Sequence, residues 1–329
     1  MTNPRFDSPY HAPVLVAEVL DALAGAHTVL DGTLGGGGHS LALLEHGATV
    51  TALDRDPSAI AAAHDRLFAF EANGRFRAMR GNFADLAALP ELADETFDGV
   101  LLDLGVSSHQ VDDARRGFSF REGAPLDMRM GGDSDGAERG TAADFLNTAH
   151  ELELTQIFRE FGDEPKGGRL AREIVRRRGN RKFATSDDLV GAIRAVLGPR
   201  SGPGEFARLF QAVRIVVNGE LEALARALPA LRDRLGPAGV FAVIAYHSGE
   251  DRLVKQSFRE WSLRCICPPR QLVCTCRDRP LGASIHKKAL TPNADELARN
   301  PRSRSARLRA WRSAADRPAA PRAVPAAGM

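Results

Sequence analysis

The 329-residue chain has no apolar run long enough to cross a membrane. Its longest nearly apolar stretch, GVFAVIAY at 239–246, is far short of the ~20 residues that a spanning helix needs. The opening MTNPRFDSPYHAP has prolines and charge where a secretory leader would have its apolar region, so the chain reads as cytoplasmic. No Gly-Lys-Ser/Thr phosphate loop is present, and no internal repeat. Strict G-x-G-x-x-G spacing is missing too: counted from Gly35 and Gly37, the third position falls on Ser40. There are only four cysteines, and none has C-x-x-C spacing.

A net charge of +2 says little, but its distribution says more. The stretch KGGRLAREIVRRRGNRK, 166–182, carries eight basic residues and the single acid Glu173. Between Arg299 and Arg317 seven arginines face the single acid Asp316, while acids gather in PELADETFD and GGDSDGAE. Segregation of this kind is the electrostatic footprint of a nucleic-acid binder; a solvated helix face is the alternative for either segment alone.

In the first hundred residues, strand and helix patterns alternate. Thr28 to Asp31 reads as a strand, SLALLEHG as a helix stopped by Gly47, ATVTALD as a second strand, and DPSAIAAAHDRL as a helix with Pro57 in its first turn. RFRAMRGNF and FDGVLLDLGVSS follow as a third and a fourth strand. This is the rhythm of a doubly wound parallel sheet. It breaks over 110–140, where neither period is visible and Gly, Arg and Asp are dense. A helical region follows to about Val213, interrupted by GPRSGPGE, and strand chemistry returns at 239–248. The expectation is an α/β sheet domain with a mainly helical insertion and a disordered PAAPRAVPAAGM tail.

DGTLGGGGHS, 31–40, lies between the first strand and its helix. Glycines there let a ligand lie against bare backbone, and Asp54, ending the second strand, is placed to accept hydrogen bonds from ribose hydroxyls. That fits either NAD(H) or S-adenosylmethionine; the missing pyrophosphate fingerprint favours the latter. A structural glycine loop is the plain alternative.

Beyond this point the chain resembles the RsmH (MraW) family of S-adenosylmethionine-dependent methyltransferases, which act on N4 of a decoding-site cytidine in bacterial 16S rRNA. The resemblance rests on HAPVL at 11–15, DGTLGGGGHS, ALDRDPSAI, GNF at 81–83, LLDLGVSSHQVDDARRGFSF, PLDMRM at 125–130, FQAVRIVVNGEL at 210–221, YHSGEDRLVK at 246–255 and NPRSRSARLR at 300–309. It implies a Rossmann-like class I methyltransferase sheet formed by 1–110 and 207–312, an insertion over 111–206 that binds substrate, and a tail from 313. It also implies cofactor contacts at Gly37, Gly38, His39, Asp54, Phe83, Asp103 and Gln110. The partner it implies is 16S rRNA in the small ribosomal subunit, with no membrane; a homodimer stays open. Against the family pattern, SSHQ replaces SSPQ, GDEP replaces GEER, HSGED replaces HSLED, and no His-Pro-Ala-Thr precedes FQAVRI. Most of these departures leave the cofactor site untouched and bear instead on the substrate contacts of the insertion.

The Asp/Asn/Ser-Pro-Pro-aromatic motif of many amino-methyltransferases is absent, and DLGVSSHQ occupies its place. Asp103, or a backbone carbonyl between Gly105 and Ser108, is therefore expected to accept from the cytosine amine, with His247 as a second candidate that could equally be a capping histidine. For substrate, the expected contacts are Ser107, Ser108, Arg116, Phe118, Phe120 and Arg129, aromatics for stacking among arginines for phosphate, together with Arg172 and Arg176 beside Arg169 on one helix face. Cys265, Cys267, Cys274 and Cys276 could make a tetrahedral zinc site or remain reduced structural thiols. A Rossmann oxidoreductase would leave the basic insertion unexplained; a noncatalytic RNA-binding module would leave Gly37, Gly38, Asp54 and Asp103 unexplained.

Overall fold

The computed structural model describes residues 4–8, 12–132, 140–268, 270–271, 273, 275–277 and 279–316. The chain divides into two compact units, Met1–Gly105 with Glu222–Met329, and Val106–Leu221.

The first unit is built on strands β1 (Thr28–Asp31), β2 (Thr49–Asp54), β3 (Phe76–Arg80), β4 (Phe97–Asp103), β5 (Leu235–Ala245), β6 (Gly282–Ser284) and β7 (Arg307–Ser313). They form one sheet in the order β3-β2-β1-β4-β5-β7-β6. The first five run parallel; β7 is antiparallel to both β5 and β6. Side chains alternate between the faces, as a strand's two-residue period requires. Leu101, Val240, Ala242 and Ile244 pack with α1 (Val16–Ala22), α2 (Gly38–Glu45) and α3 (Pro57–Ala72). Their neighbours Val100, Leu102, Phe241 and Val243 pack on the opposite face with α10 (Glu220–Asp233) and α11 (Ser248–Trp261). The helix starts follow local chemistry: Asp56 caps α3 by accepting from the Ser58 N–H, with Pro57 in the first turn.

The second unit holds α4 (Ser108–Asp112), α5 (Ala142–Thr148), α6 (Glu151–Glu160), α7 (Gly167–Arg178), α8 (Ser186–Leu197) and α9 (Pro203–Asn218). The last helix, α12 (Ala294–Arg299), belongs to the first. Leu146, Phe158, Leu170, Ile174, Ile193 and Leu209 are fully buried in the second unit's own core.

Three expectations change. The insertion runs from Val106 to Leu221 rather than 111–206, because Phe206, Phe210 and Val213 of α9 face the helical core and not the sheet. The tail does not begin at 313: Ser313 closes β7, and the Ala314 N–H donates to the Leu281 carbonyl; the rest of that segment, 317–329, lies outside the described residues. The C-terminal arginine stretch is in part a strand of the sheet. Arg309 makes a two-pronged bond to Asp251, and Arg307 lies 3.7 Å from the same carboxylate. Charge alone could not distinguish these from phosphate ligands.

The segment after α4 has no regular period, and side chains, Asn218 foremost, hold much of its backbone. Asn218, 2% exposed at the end of α9, donates to the Met128 carbonyl (2.8 Å) and accepts from the Met130 N–H (2.8 Å), while Leu126 and Met128 enter the helical core. Replacing Asn218 with Ala leaves these backbone groups unpaired in a dry site, and is expected to destabilise this unit by about 2–4 kcal/mol. Hydrogen exchange at the Leu126, Met128 and Met130 amides checks it; unchanged protection at all three would refute the role.

Candidate cofactor and substrate site

Three carboxylates end three adjacent parallel strands: Asp54 on β2, Asp31 on β1 and Asp103 on β4. Between β1 and β4 the strand order reverses, and such reversals open a crevice beyond the carboxyl ends of strands in α/β sheets. The glycine turn stands at this place, and its glycines serve different needs. Gly37 precedes α2 in the left-handed region (φ 71°). Gly38 lies so close to Pro13 that a Cβ would come within 2.8 Å of its ring. Gly35 also has positive φ (50°), but a Cβ there would meet nothing within 4 Å, so this part of the turn opens to space.

Asp54 accepts from the Gly35 N–H (2.8 Å) and the Asp56 N–H (2.9 Å), fixing the turn against the end of β2. Burial pushes its carboxyl up to about 6 in spite of both bonds. Asp31 accepts from the Ser40 hydroxyl (2.7 Å) and the Thr33 N–H (3.1 Å), and burial raises its pKa as well. Sequence reading passed over Asp31. Its signal was the D of DGT nine residues before the serine of GHS, a spacing that closes the turn on itself.

Asp103 is the centre of a second network. Its backbone N–H donates to Thr33 Oγ1 (2.6 Å), and its Oδ1 accepts from the Tyr246 hydroxyl (2.9 Å). His39 Nε2 lies 3.4 Å from Oδ2, within ion-pair distance but without hydrogen-bond geometry. Burial, then the Asp103 charge, hold the Tyr246 phenol well above its ordinary value, so it stays protonated and donates. His39 is 6% exposed, and neither ring nitrogen has a hydrogen-bond partner among the described residues. Tyr246 was the residue missed here: a strand-end aromatic carries no signal in sequence until β5 is seen beside β4. Phe83, half-buried, packs against the core that contains Leu30 and Leu53.

The other expected residues lie in the second unit, except His247. Ser107 and Gln110 cap each other at the start of α4, with Ser108 the first helical residue: the serine hydroxyl accepts from the Gln110 N–H and Gln110 Oε1 accepts from the Ser107 N–H. Gln110 also donates to the Met130 carbonyl. Arg116 donates to the Arg129 and Met130 carbonyls, and Arg129 forms a two-pronged pair with Asp127. Phe120 is partly buried, its ring meeting Phe206 and Phe210 edge-on at 5.7 and 6.1 Å, and Phe118 packs against the same core. His247 caps α11, its Nδ1 accepting from the Glu250 N–H and its Nε2 lying 3.2 Å from Glu250 Oε1. The capping alternative describes it.

On α7 the basic run is partly neutralised from within. Arg176 and Arg177 share Glu173, whose carboxyl they pull down to about 2, and Arg178 donates to the Leu146 and Ala149 carbonyls. Arg169 and Arg172 are exposed; Arg172 Nε donates to the Gly168 carbonyl (3.2 Å) and lies 4.0 Å from Glu151.

A model of the MraW methylase family matches residues 8–314. The ribosomal RNA small subunit methyltransferase H of Gemmatimonas aurantiaca is 62% identical over 305 residues, spanning 93% of this chain and 96% of that protein. The protein of the same name from Heliobacterium mobile is 46% identical over 310 residues, 91% and 97% of the two chains. Among solved structures, an rRNA methylase from Streptococcus thermophilus aligns over 90% of this chain and 95% of its own, with 10% identity and a TM-score of 0.40, too distant to bear on the site.

Proposed function

The chain belongs to the MraW methylase family, and from that premise we propose that it methylates the N4 amine of a decoding-site cytidine in 16S rRNA, using S-adenosylmethionine, in the cytoplasm. The observation that carries this reading is the row of acids ending β2, β1 and β4 around an open glycine turn. The names of the relatives support the small-subunit rRNA as substrate. Among the described residues no helix is long and apolar enough to cross a membrane.

The residues present suit the cofactor. Each Asp54 oxygen has a lone pair beyond the one used by the backbone, which ribose hydroxyls can use. Gly35 leaves the turn's backbone open on that side, and the buried His39 ring keeps two polar atoms for a partner. Phe83 offers an apolar wall to the adenine. When bound, S-adenosylmethionine supplies a methyl group activated on a sulfonium.

An exocyclic cytosine amine is a weak nucleophile because its lone pair is delocalised into the ring. The protein's task is then to align the amine and to stabilise the positive charge that grows on nitrogen. Asp103, anchored by Tyr246 and by Thr33, presents a fixed carboxylate for that purpose, and the amine proton leaves to water afterwards. A paired cytidine hides N4, so the substrate base must be unpaired or extruded. The exposed Arg169 and Arg172 suit phosphate contacts on the way.

The test is transfer of labelled methyl from S-adenosylmethionine to small ribosomal subunits from cells lacking the enzyme, with nucleoside analysis of the rRNA. Label in N4-methylated cytidine is expected. Label in another nucleoside would overturn the N4 assignment, and none in rRNA would overturn the substrate.

A further inference from the structure

We infer that Cys265, Cys267 and Cys276 form a zinc-binding thiolate site that staples the segment joining α11 to β6. Nothing in the methyl-transfer chemistry uses these residues, and nothing in the inference depends on that chemistry.

The three Sγ atoms lie within 4.8 Å of one another, although Cys276 is separated from Cys267 by eight intervening residues. Cys265 and Cys276 Sγ are 3.8 Å apart. A disulfide would bring them to about 2.05 Å. Two thiolates on one tetrahedral zinc, each about 2.3 Å from the metal, stand about 3.8 Å apart. The Ile266 N–H donates to Cys276 Sγ (3.4 Å), a bond that favours the sulfur when it carries negative charge. The C-x-C pair thus folds back so that its own backbone supports the third sulfur.

Among the described residues between Trp261 and Gly282 there is no helix and no strand. Among the described residues there, Leu263 is 44%, Ile266 46% and Val273 71% exposed, and only Leu281, next to β6, packs on the sheet core. A stretch that buries so little cannot offset the entropy of ordering about twenty residues, and small folds in this position use a metal or a covalent cross-link instead. Arg277, donating to the Glu260 and Leu263 carbonyls, ties the far end back to α11 but does not replace a core. Thiolate ligands in tetrahedral array select zinc over hard cations. Cys274, the remaining cysteine, lies outside the described residues.

The experiment uses the full chain, purified without an affinity tag and passed over a weak chelating resin, with metal counted by inductively coupled plasma mass spectrometry. About one zinc per chain is expected, falling below about a tenth in the Cys265→Ser/Cys276→Ser double variant. Should that variant fail to fold, the wild-type chain still decides. A mercurial thiol reagent should release the zinc, and cobalt(II) in its place should show the thiolate-to-cobalt charge-transfer absorption. Absence of zinc from wild-type chain even after incubation with zinc alone, full zinc retention in the folded double variant, or a cobalt spectrum without sulfur charge transfer would each overturn the site.

Discussion

An Asp103→Asn variant is expected to transfer methyl about 10²–10³-fold more slowly at saturating cofactor, the loss typical of removing one preorganised group that stabilises charge in a transition state. The carboxylate's position is set from three sides: the Thr33 hydroxyl on its backbone N–H, the Tyr246 hydroxyl on Oδ1, and the His39 ring near Oδ2. Asn keeps the size and can still accept from Tyr246 through its carbonyl. Its amide nitrogen then faces the amine where an anionic acceptor stood. If Asp103 serves only the cofactor, cofactor affinity falls while the single-turnover rate at saturation stays at the wild-type value, and that result would remove Asp103 from the chemical step. Tyr246 is a positioning residue acting through Asp103. Tyr246→Phe removes one hydrogen bond to a charged acceptor and is expected to slow the same step about tenfold or more. Because both changes act on one carboxylate, the double variant should be no slower than Asp103→Asn alone. Independent, multiplying losses would mean that Tyr246 acts by another route.

The sheet was legible where each strand ends in a marker: Asp31 before the glycine turn, Asp54 before the Asp56 cap, Asp103 before LGVSS. Those apolar runs are buried on both faces, and their shortness and turn-marked ends favour strands over helices. β7 was hidden because RLRAWRS alternates arginine with apolar residues, and the same arginines also fit an RNA-binding surface; only the Asp251 partner, far away in sequence, separates the readings. The substrate side was the least legible. Ser107, Gln110, Arg116 and Arg129 are the residues a reader picks as ligands, yet each is engaged in capping or in holding the 126–130 backbone. Polar side chains in an aperiodic loop do both jobs with the same atoms, and sequence does not record which bond is intramolecular. His247 shows this in one residue, since a histidine at a helix start is a base in one reading and a cap in the other.

Cofactor affinity should fall about tenfold between pH 7.5 and pH 5, with the change centred near the Asp54 pKa of about 6. Ribose hydroxyls donate to a carboxylate, so the bound state favours ionised Asp54, and below about pH 6 binding must first remove a proton. The same shift acts in the opposite direction on the ligand-free fold. The folded carboxyl holds its proton up to about pH 6, whereas an unfolded one releases it near 3.8. Its stabilising contribution is therefore complete below about pH 4 and is lost as pH rises through about 6, and buried Asp31 works in the same direction. At neutral pH the empty site thus carries a poorly solvated acid, which bound ribose hydroxyls are expected to relieve. Asp54→Asn tests the pair of statements together. Isothermal titration should show affinity about 10–100-fold weaker at pH 7.5, the range for losing hydrogen bonds to a charged group, and no inflection near pH 6. The ligand-free melting temperature should move little, since removing the buried charge offsets the loss of one of the two N–H bonds from Gly35 and Asp56. An inflection that persists in Asp54→Asn would assign the titration to another group, and unchanged affinity at pH 7.5 would take Asp54 out of the ribose site.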